Sequence, residues 1–349
     1  MVLAVAGCAL SGCSGPAPAH SPSTVDSPAP AGSASDAAPS VAPVPSSAAP
    51  SRSATPDGRL LFGIGDEADR GIRTALARQA PVRMLSSWFN GPSAFGFMDG
   101  WRASLVPGWY AKGYALHVIT WSDVPEGPLS TVYGPACGRP YPLSPGFLTD
   151  VRHLGRIFAG RADGPPLYVT LFTEFSTYPC EDNEWTKGTA YYRALKDQYR
   201  AAYRILHETA PNVRVSLGWG GWLGTYDVPS RGAGRSMVKY FDDVLRMSDF
   251  QSFQAMSNNP AGNPAQIRAM LGLLHPYGPV MCAHFKPDNR SQAVFGADIR
   301  ALFTDAAMTE LTRAGLFALS FMDTQIVDAD PANFAFLKAA VGRYGAPPG

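Results

Sequence analysis

The chain has 349 residues, 46% of them hydrophobic and 16% charged, with 29 Lys and Arg against 28 Asp and Glu. That length holds one large domain or two ordinary ones, and the apolar fraction is enough for a substantial core. A nearly balanced charge leaves no basic field to neutralise a phosphate backbone, which excludes a general nucleic-acid binder. The 32 prolines are unevenly spread and mark the first boundary.

Residues 1–13, MVLAVAGCALSGC, form an apolar stretch too short to cross a bilayer. Residues 14–57 are Pro, Ala, Ser and other small residues with almost no large apolar side chain. Such a segment cannot offset its ordering entropy, so a disordered, partly polyproline tether is expected. Leu10-Ser11-Gly12-Cys13 resembles the lipobox of a bacterial lipoprotein signal, and Val5-Ala6-Gly7-Cys8 fits the same pattern less well. The resemblance implies acylation of Cys13 and an exported protein, lipid-anchored to the outer face of the bacterial cell membrane and touching it through the anchor alone. The expected organisation is a signal segment at 1–13, a linker at 14–57 and a globular domain at 58–349.

From residue 58 onward, short apolar β-rich runs alternate with helical stretches. The runs are LLFGIG (60–65), VRMLSS (82–87), ALHVITW (115–121), LYVTLFTE (167–174), VRVSLGW (213–219), DFQSFQAM (249–256), PVMCAHF (279–285) and LFALSFMD (316–323). Helices are predicted at 189–209, 265–274, 296–313 and 332–341. Apolar strands separated by helices read as parallel strands buried on both faces, and eight of them predict a closed (β/α)8 barrel. An open doubly wound sheet is the other arrangement, but no GxGxxG follows the first strand and no GxxxxGK[ST] occurs.

In such a barrel, function sits where the strands end. The strand ends supply Asp66 and Glu67, then Trp88 and Asn90, Trp121 and Asp123, Glu174, Trp219 and Trp222, Gln254, Asn258 and Asn259, His284, Lys286 and Asp288, and finally Asp323 and Gln325. Five of the seven tryptophans (88, 121, 185, 219 and 222) fall on this rim or its loops. Flat aromatic faces beside carboxylates and amides suit a sugar, with its apolar C–H faces and hydroxyl edge. Trp88, Trp121, Trp219, Trp222, Asn90, Gln254 and Asn258 are therefore the candidate substrate contacts. His284 and Lys286 would bind an anionic sugar substituent, or His284 would orient a carboxylate. Cys137 and Cys180 lie in polar loops after the third and fourth strands, neighbours on the rim, and are expected to form a disulfide; Cys282 reads as a buried apolar residue. No CxxC or HExxH spacing appears and the six histidines are scattered, so neither a metal nor a cofactor is expected.

Here the sequence resembles the (β/α)8-barrel glycoside hydrolases of the retaining clan, β-mannanase-like families in particular, over roughly residues 60–343. The clan's acid/base glutamate ends its fourth strand, where LYVTLFTEFSTYP carries Glu174; the stretch from EWTKG through the long helix to VRVSLGW is similar too. The clan's nucleophile, a glutamate ending the seventh strand, is replaced by His284 in PVMCAHF, and Thr173 stands where the clan usually has Asn or His. A glycosidase needs a second carboxylate. Asp323 is the first candidate, Asp123 the second, and Asp66 with Glu67 the third; each also reads as a helix cap or rim ion pair. The resemblance implies a polysaccharide or glycan substrate with Glu174 as general acid. The competing reading is a non-catalytic carbohydrate-binding lipoprotein that has kept the barrel and lost the nucleophile.

Overall fold

The computed structural model describes residues 59–180 and 189–347. The signal segment, the linker and Trp185 lie outside them, and so does Cys13.

Eight strands close into a parallel barrel: β1 (Leu61–Ile64), β2 (Met84–Phe89), β3 (Ala115–Thr120), β6 (Leu167–Leu171), β7 (Val213–Gly220), β8 (Gln251–Ala255), β9 (Val280–Phe285) and β10 (Leu316–Phe321). Every apolar run of the sequence supplies one. The remaining strands, β4 (Gly127–Thr131) and β5 (Gly134–Gly138), form an antiparallel ribbon after β3 that was not predicted. Cys137 at its end is bonded to Cys180 in the loop after β6, with 5.3 Å between the Cα atoms. Cys282 is free and buried.

The period-two alternation of a strand explains how the barrel fills. Met84, Ala115, Phe250 and Ala318 belong to an apolar floor inside it. Two residues further along the same strands come Ser86, His117, Ser252 and Ser320, a buried polar layer. Its members bond one another: Ser86 to Ser320 at 2.7 Å, His117 Nε2 to Thr170 at 3.0 Å, and Ser216 to Ser252 at 2.6 Å. A further step of two reaches Trp88, Gln254 and Met322, which line an open cleft. The other strand face packs against the helices in one continuous apolar core.

Helices run from Pro145 to Phe158, Ala190 to Thr209, Gly262 to Leu274 and Pro331 to Tyr344. The predicted helix 296–313 is two, Gln292–Leu302 and Asp305–Arg313, because the Thr304 side chain caps the second by accepting from Ala307 N at 3.2 Å. Among the described residues no helix is long and apolar enough to cross a membrane.

Candidate active site

The cleft at the C-terminal ends of the strands has a volume of about 540 Å³ and is lined by Asp66, Glu67, Trp88, Asn90, Ser93, Ala94, Phe97, Trp121, Glu174, Gln254, Met256 and Met322. Its size is that of an ordinary small-molecule site.

Glu174 is presented by a break in the backbone rather than by the strand itself. The predicted strand to residue 174 stops at Leu171, because Phe172 and Glu174 both adopt left-handed conformations, at φ 57° and 59°. Phe172 thereby packs on Phe147, 4.9 Å between ring centroids, with its neighbour Phe175 buried too. The turn rests directly on β7: a Cβ at Gly218 would lie 2.7 Å from Thr173 Cα, so only glycine admits this approach. Two non-glycine residues with positive φ cost roughly 1–3 kcal/mol each, and such strain concentrates at functional sites.

A chain of contacts then fixes the carboxyl group. Gln254 Nε2 donates to Glu174 Oε1, and Gln254 Oε1 faces His284 Nδ1 at 3.2 Å. A carboxylate accepts only from the amide nitrogen, so the amide oxygen is left for the imidazole and the His284 proton sits on Nδ1. Nε2 is buried without a partner. His284 reaches this place through a β-bulge: the register of β8 with β9 shifts between Phe253 and Gln254, turning the side chain inward beside Gln254. Burial, aided by the charge of Lys286, holds His284 well below the ordinary histidine range, so the ring is neutral. Trp88 stacks on it at 4.2 Å and meets Trp121 edge-on at 6.5 Å.

Burial raises the pKa of Glu174, and Asp288 adds to the rise; Gln254, Arg139 and Trp121 oppose it. Trp121 Nε1 has no hydrogen-bond partner of regular geometry, yet it lies close enough to favour the charged carboxylate. The net shift is upward, the direction that a general acid requires.

Of the sequence candidates, the cleft brings together Glu174, Trp88, Asn90, Trp121, Gln254, Asp66 and Glu67. His284 lies beneath Trp88, fully buried, and touches Gln254 rather than the open cleft. Asp323 is elsewhere engaged: its Oδ1 accepts from Gln325 N at 3.1 Å, capping the helix Thr324–Asp328, and its Oδ2 pairs with Arg290. Asp123 is exposed and not part of the lining. Trp219 is a core residue, 1% exposed, against Phe175 at 4.7 Å; Val213, Val215, Leu217 and Trp219 share one strand face, and that alternation was the signal for its burial. Trp222 is not part of the lining, its ring packed on Gly220. Asn258 accepts from Asn289 N at 2.7 Å and so ties two rim loops together. The sequence reading missed Ser93, Phe97, Met256, Met322 and, just behind Trp121, Arg139, whose guanidinium carbon lies 5.1 Å from the Trp121 ring and 5.3 Å from that of Tyr178.

No protein-family model matches the sequence, and no curated protein matches it. Among solved structures the chain is similar to a GH26 β-mannanase from Bacteroides ovatus, at a TM-score of 0.54 and 11% identity, covering 82% of this chain and 88% of the other. A weaker similarity, at 0.48 and 14% identity, is to an endo-1,4-β-mannanase from Eisenia fetida, over 83% of this chain and 92% of that one. At such identities the likeness is one of fold: this is a (β/α)8 barrel of the kind on which those glycoside hydrolases are built.

Proposed function

We propose that the protein is a glycoside hydrolase acting on a polysaccharide or glycan, with Glu174 as its general acid. One observation carries the reading: a carboxyl group on a strained turn, its pKa raised by burial, opens into a cleft walled by Trp88 and Trp121. Such an acid protonates the glycosidic oxygen while a second carboxylate activates water or attacks the sugar. Asp66 takes the second role in preference to Asp323, since it lines the same cleft and no cation among the described residues is paired with it, whereas neighbouring Glu67 is paired with Arg70 at 3.1 Å. Gln254 orients the acid, and neutral His284 orients Gln254. The barrel's likeness to a β-mannanase fits this reading.

The test is Glu174→Gln against a panel of polysaccharides and aryl glycosides. Turnover of poor leaving groups should fall about 10²–10⁴-fold, with much less loss on an activated aryl leaving group that needs no proton. Undiminished polysaccharide hydrolysis would refute the assignment. A second reading has its own support: His284, buried and neutral, stands where the sequence resemblance puts the clan's nucleophile. If the wild type binds glycans and cleaves none across the panel, the non-catalytic carbohydrate-binding reading is the better one.

Acylation of Cys13, and with it anchoring to the outer face of the bacterial cell membrane, completes the proposal. It rests on the LSGC sequence and the Pro/Ala/Ser stretch that follows. Mass spectrometry of the native N-terminus should find a lipidated Cys13 at the start of the mature chain. An uncleaved, unmodified Cys13 would remove the anchor.

A further inference from the structure

Two cations stand at the mouth of the barrel without an ion pair among the described residues. Lys286 follows β9. Phe285 points outward onto Phe295 at 6.0 Å, so alternation turns Lys286 the other way, to the inner side that His284 occupies. The residue is only 6% exposed, and its ammonium makes no ion pair and no side-chain hydrogen bond with the described residues. Its charge is felt by His284, its neighbour on the inner side of the β9 end.

Arg139 approaches from the other side. Its backbone is pinned in the corner made by the disulfide, with Arg139 N donating to Tyr178 O at 3.0 Å and its carbonyl accepting from Tyr191 OH at 2.8 Å. The guanidinium lies between the rings of Trp121 and Tyr178. Its Nε and Nη1 are buried without a hydrogen-bond partner, and its charge acts on Glu174. The contrast with the neighbouring Arg290 is direct, because that side chain is paired with Asp323.

Taking a largely buried lysine and arginine out of water without a counter-ion is costly. Two such groups beside one cleft, Arg139 against the Trp121 ring that lines it and Lys286 on the inner side of the β9 end, imply that the anion arrives with the ligand. We propose that the glycan bound here is acidic, carrying a uronic acid whose carboxylate is received by Lys286 and Arg139 beside Glu174. A guanidinium held flat between aromatic rings is pre-organised for a carboxylate, and Trp88 and Trp121 remain to take the apolar ring faces. This deepens the glycosidase reading and rests on it for the location of the sugar.

The experiment compares oligogalacturonate and oligomannuronate with their carboxyl-reduced, neutral counterparts. Binding is measured by calorimetry on the full chain, and turnover is measured alongside. At least one acidic oligosaccharide should bind about tenfold or more tightly than its reduced form. Lys286→Met, which keeps the buried stem, and Arg139→Gln should each erase most of that preference, and Arg139→Lys should keep part of it; thermal melts verify folding of each variant. Equal affinity for acidic and reduced forms, absence of binding by both, or a preference that survives both neutralising substitutions would overturn the proposal. A sulfated, uronate-free oligosaccharide and its desulfated form run beside them, and a charge preference confined to that pair would also overturn the uronate. The two readings fail separately. Glu174-dependent cleavage of neutral glycans without charge preference sinks the acidic ligand and spares the hydrolase, while charge-selective binding without any cleavage does the reverse.

Discussion

Glu174 and Asp323 stand in similar places, and their carboxyl groups meet opposite surroundings. Each is a carboxylate just past the end of a barrel strand, and each adopts a positive φ, 59° and 69°. Asp323 is the more buried of the two, at 4% exposure, yet both its oxygens are engaged, one by a helix N-terminus and one by Arg290. Among the described residues Glu174 accepts from the side-chain amide of Gln254, with Trp121 and Arg139 nearby, and faces an open, aromatic cleft. The difference teaches that a carboxylate at the rim becomes chemical through what its oxygens are spared, not through its position on the strand. A cationic partner and a capped amide favour the ion and occupy it; burial with a neutral amide shifts the balance towards the protonated form.

The largest expected effect is on turnover. Glu174→Gln should remove about 10²–10⁴-fold of kcat on poor leaving groups, and Asp66→Asn should cost a comparable factor if it is the partner. Asp323→Asn should leave kcat within a few-fold of wild type. Steady-state kinetics on one substrate checks all three, and a collapse confined to Asp323→Asn would restore it as the second carboxylate and break the comparison.

Stability should divide the pair the other way. Asp323→Ala removes an N-cap and leaves Arg290 without its partner, a loss of about 1–2 kcal/mol, measurable by denaturant titration. Glu174→Gln removes no cap and keeps a partner for Gln254, so its midpoint at neutral pH should match or exceed that of wild type. Severe destabilisation by Glu174→Gln would show that this carboxyl group, too, is structural.

How much of this was legible without the structure follows the same physics. The eight barrel strands stood out because strands buried on both faces are continuous apolar runs, and the disulfide followed from the adjacency of the third and fourth strand loops. The ribbon β4–β5 was invisible: GPLST and GPACG carry neither alternation nor an apolar run, and its place depends on the disulfide and on packing beside Tyr178. Within the site, Glu174, Trp88, Trp121 and Gln254 could be placed because they sit where regular strands end. Asp323 stood first among the partner candidates, and its engagement as a cap was also legible, because an Asp just ahead of Thr-Gln-Ile-Val has the form of an N-cap. His284 reaches its position by a bulge, which no period-two count foresees. Arg139 lies in a loop, where residues distant in sequence decide what its side chain meets.

The smallest effect sharpens the comparison by extending it to pH. Glu174 has a raised folded pKa, so its contribution to stability is complete below the unfolded value of about 4.3 and is lost as pH rises through the folded one. Glu174→Gln should therefore gain on wild type as pH rises from about 4 towards 7. His284 has the opposite sign. Its folded pKa is depressed, so below about 6.5 the unfolded chain takes up a proton that the native ring refuses, and stability drains as pH falls. His117, held down to about 3 by burial, behaves in the same way. His284→Gln keeps a polar group opposite Gln254 but cannot titrate, and should flatten the decline between roughly pH 6.5 and 5 by at most about 2 kcal/mol. Denaturant midpoints of wild type, Glu174→Gln and His284→Gln across that range should thus diverge in opposite directions from wild type at the two ends. Parallel curves for all three would mean that neither group is held in the protonation state that its burial and its shared partner, Gln254, impose.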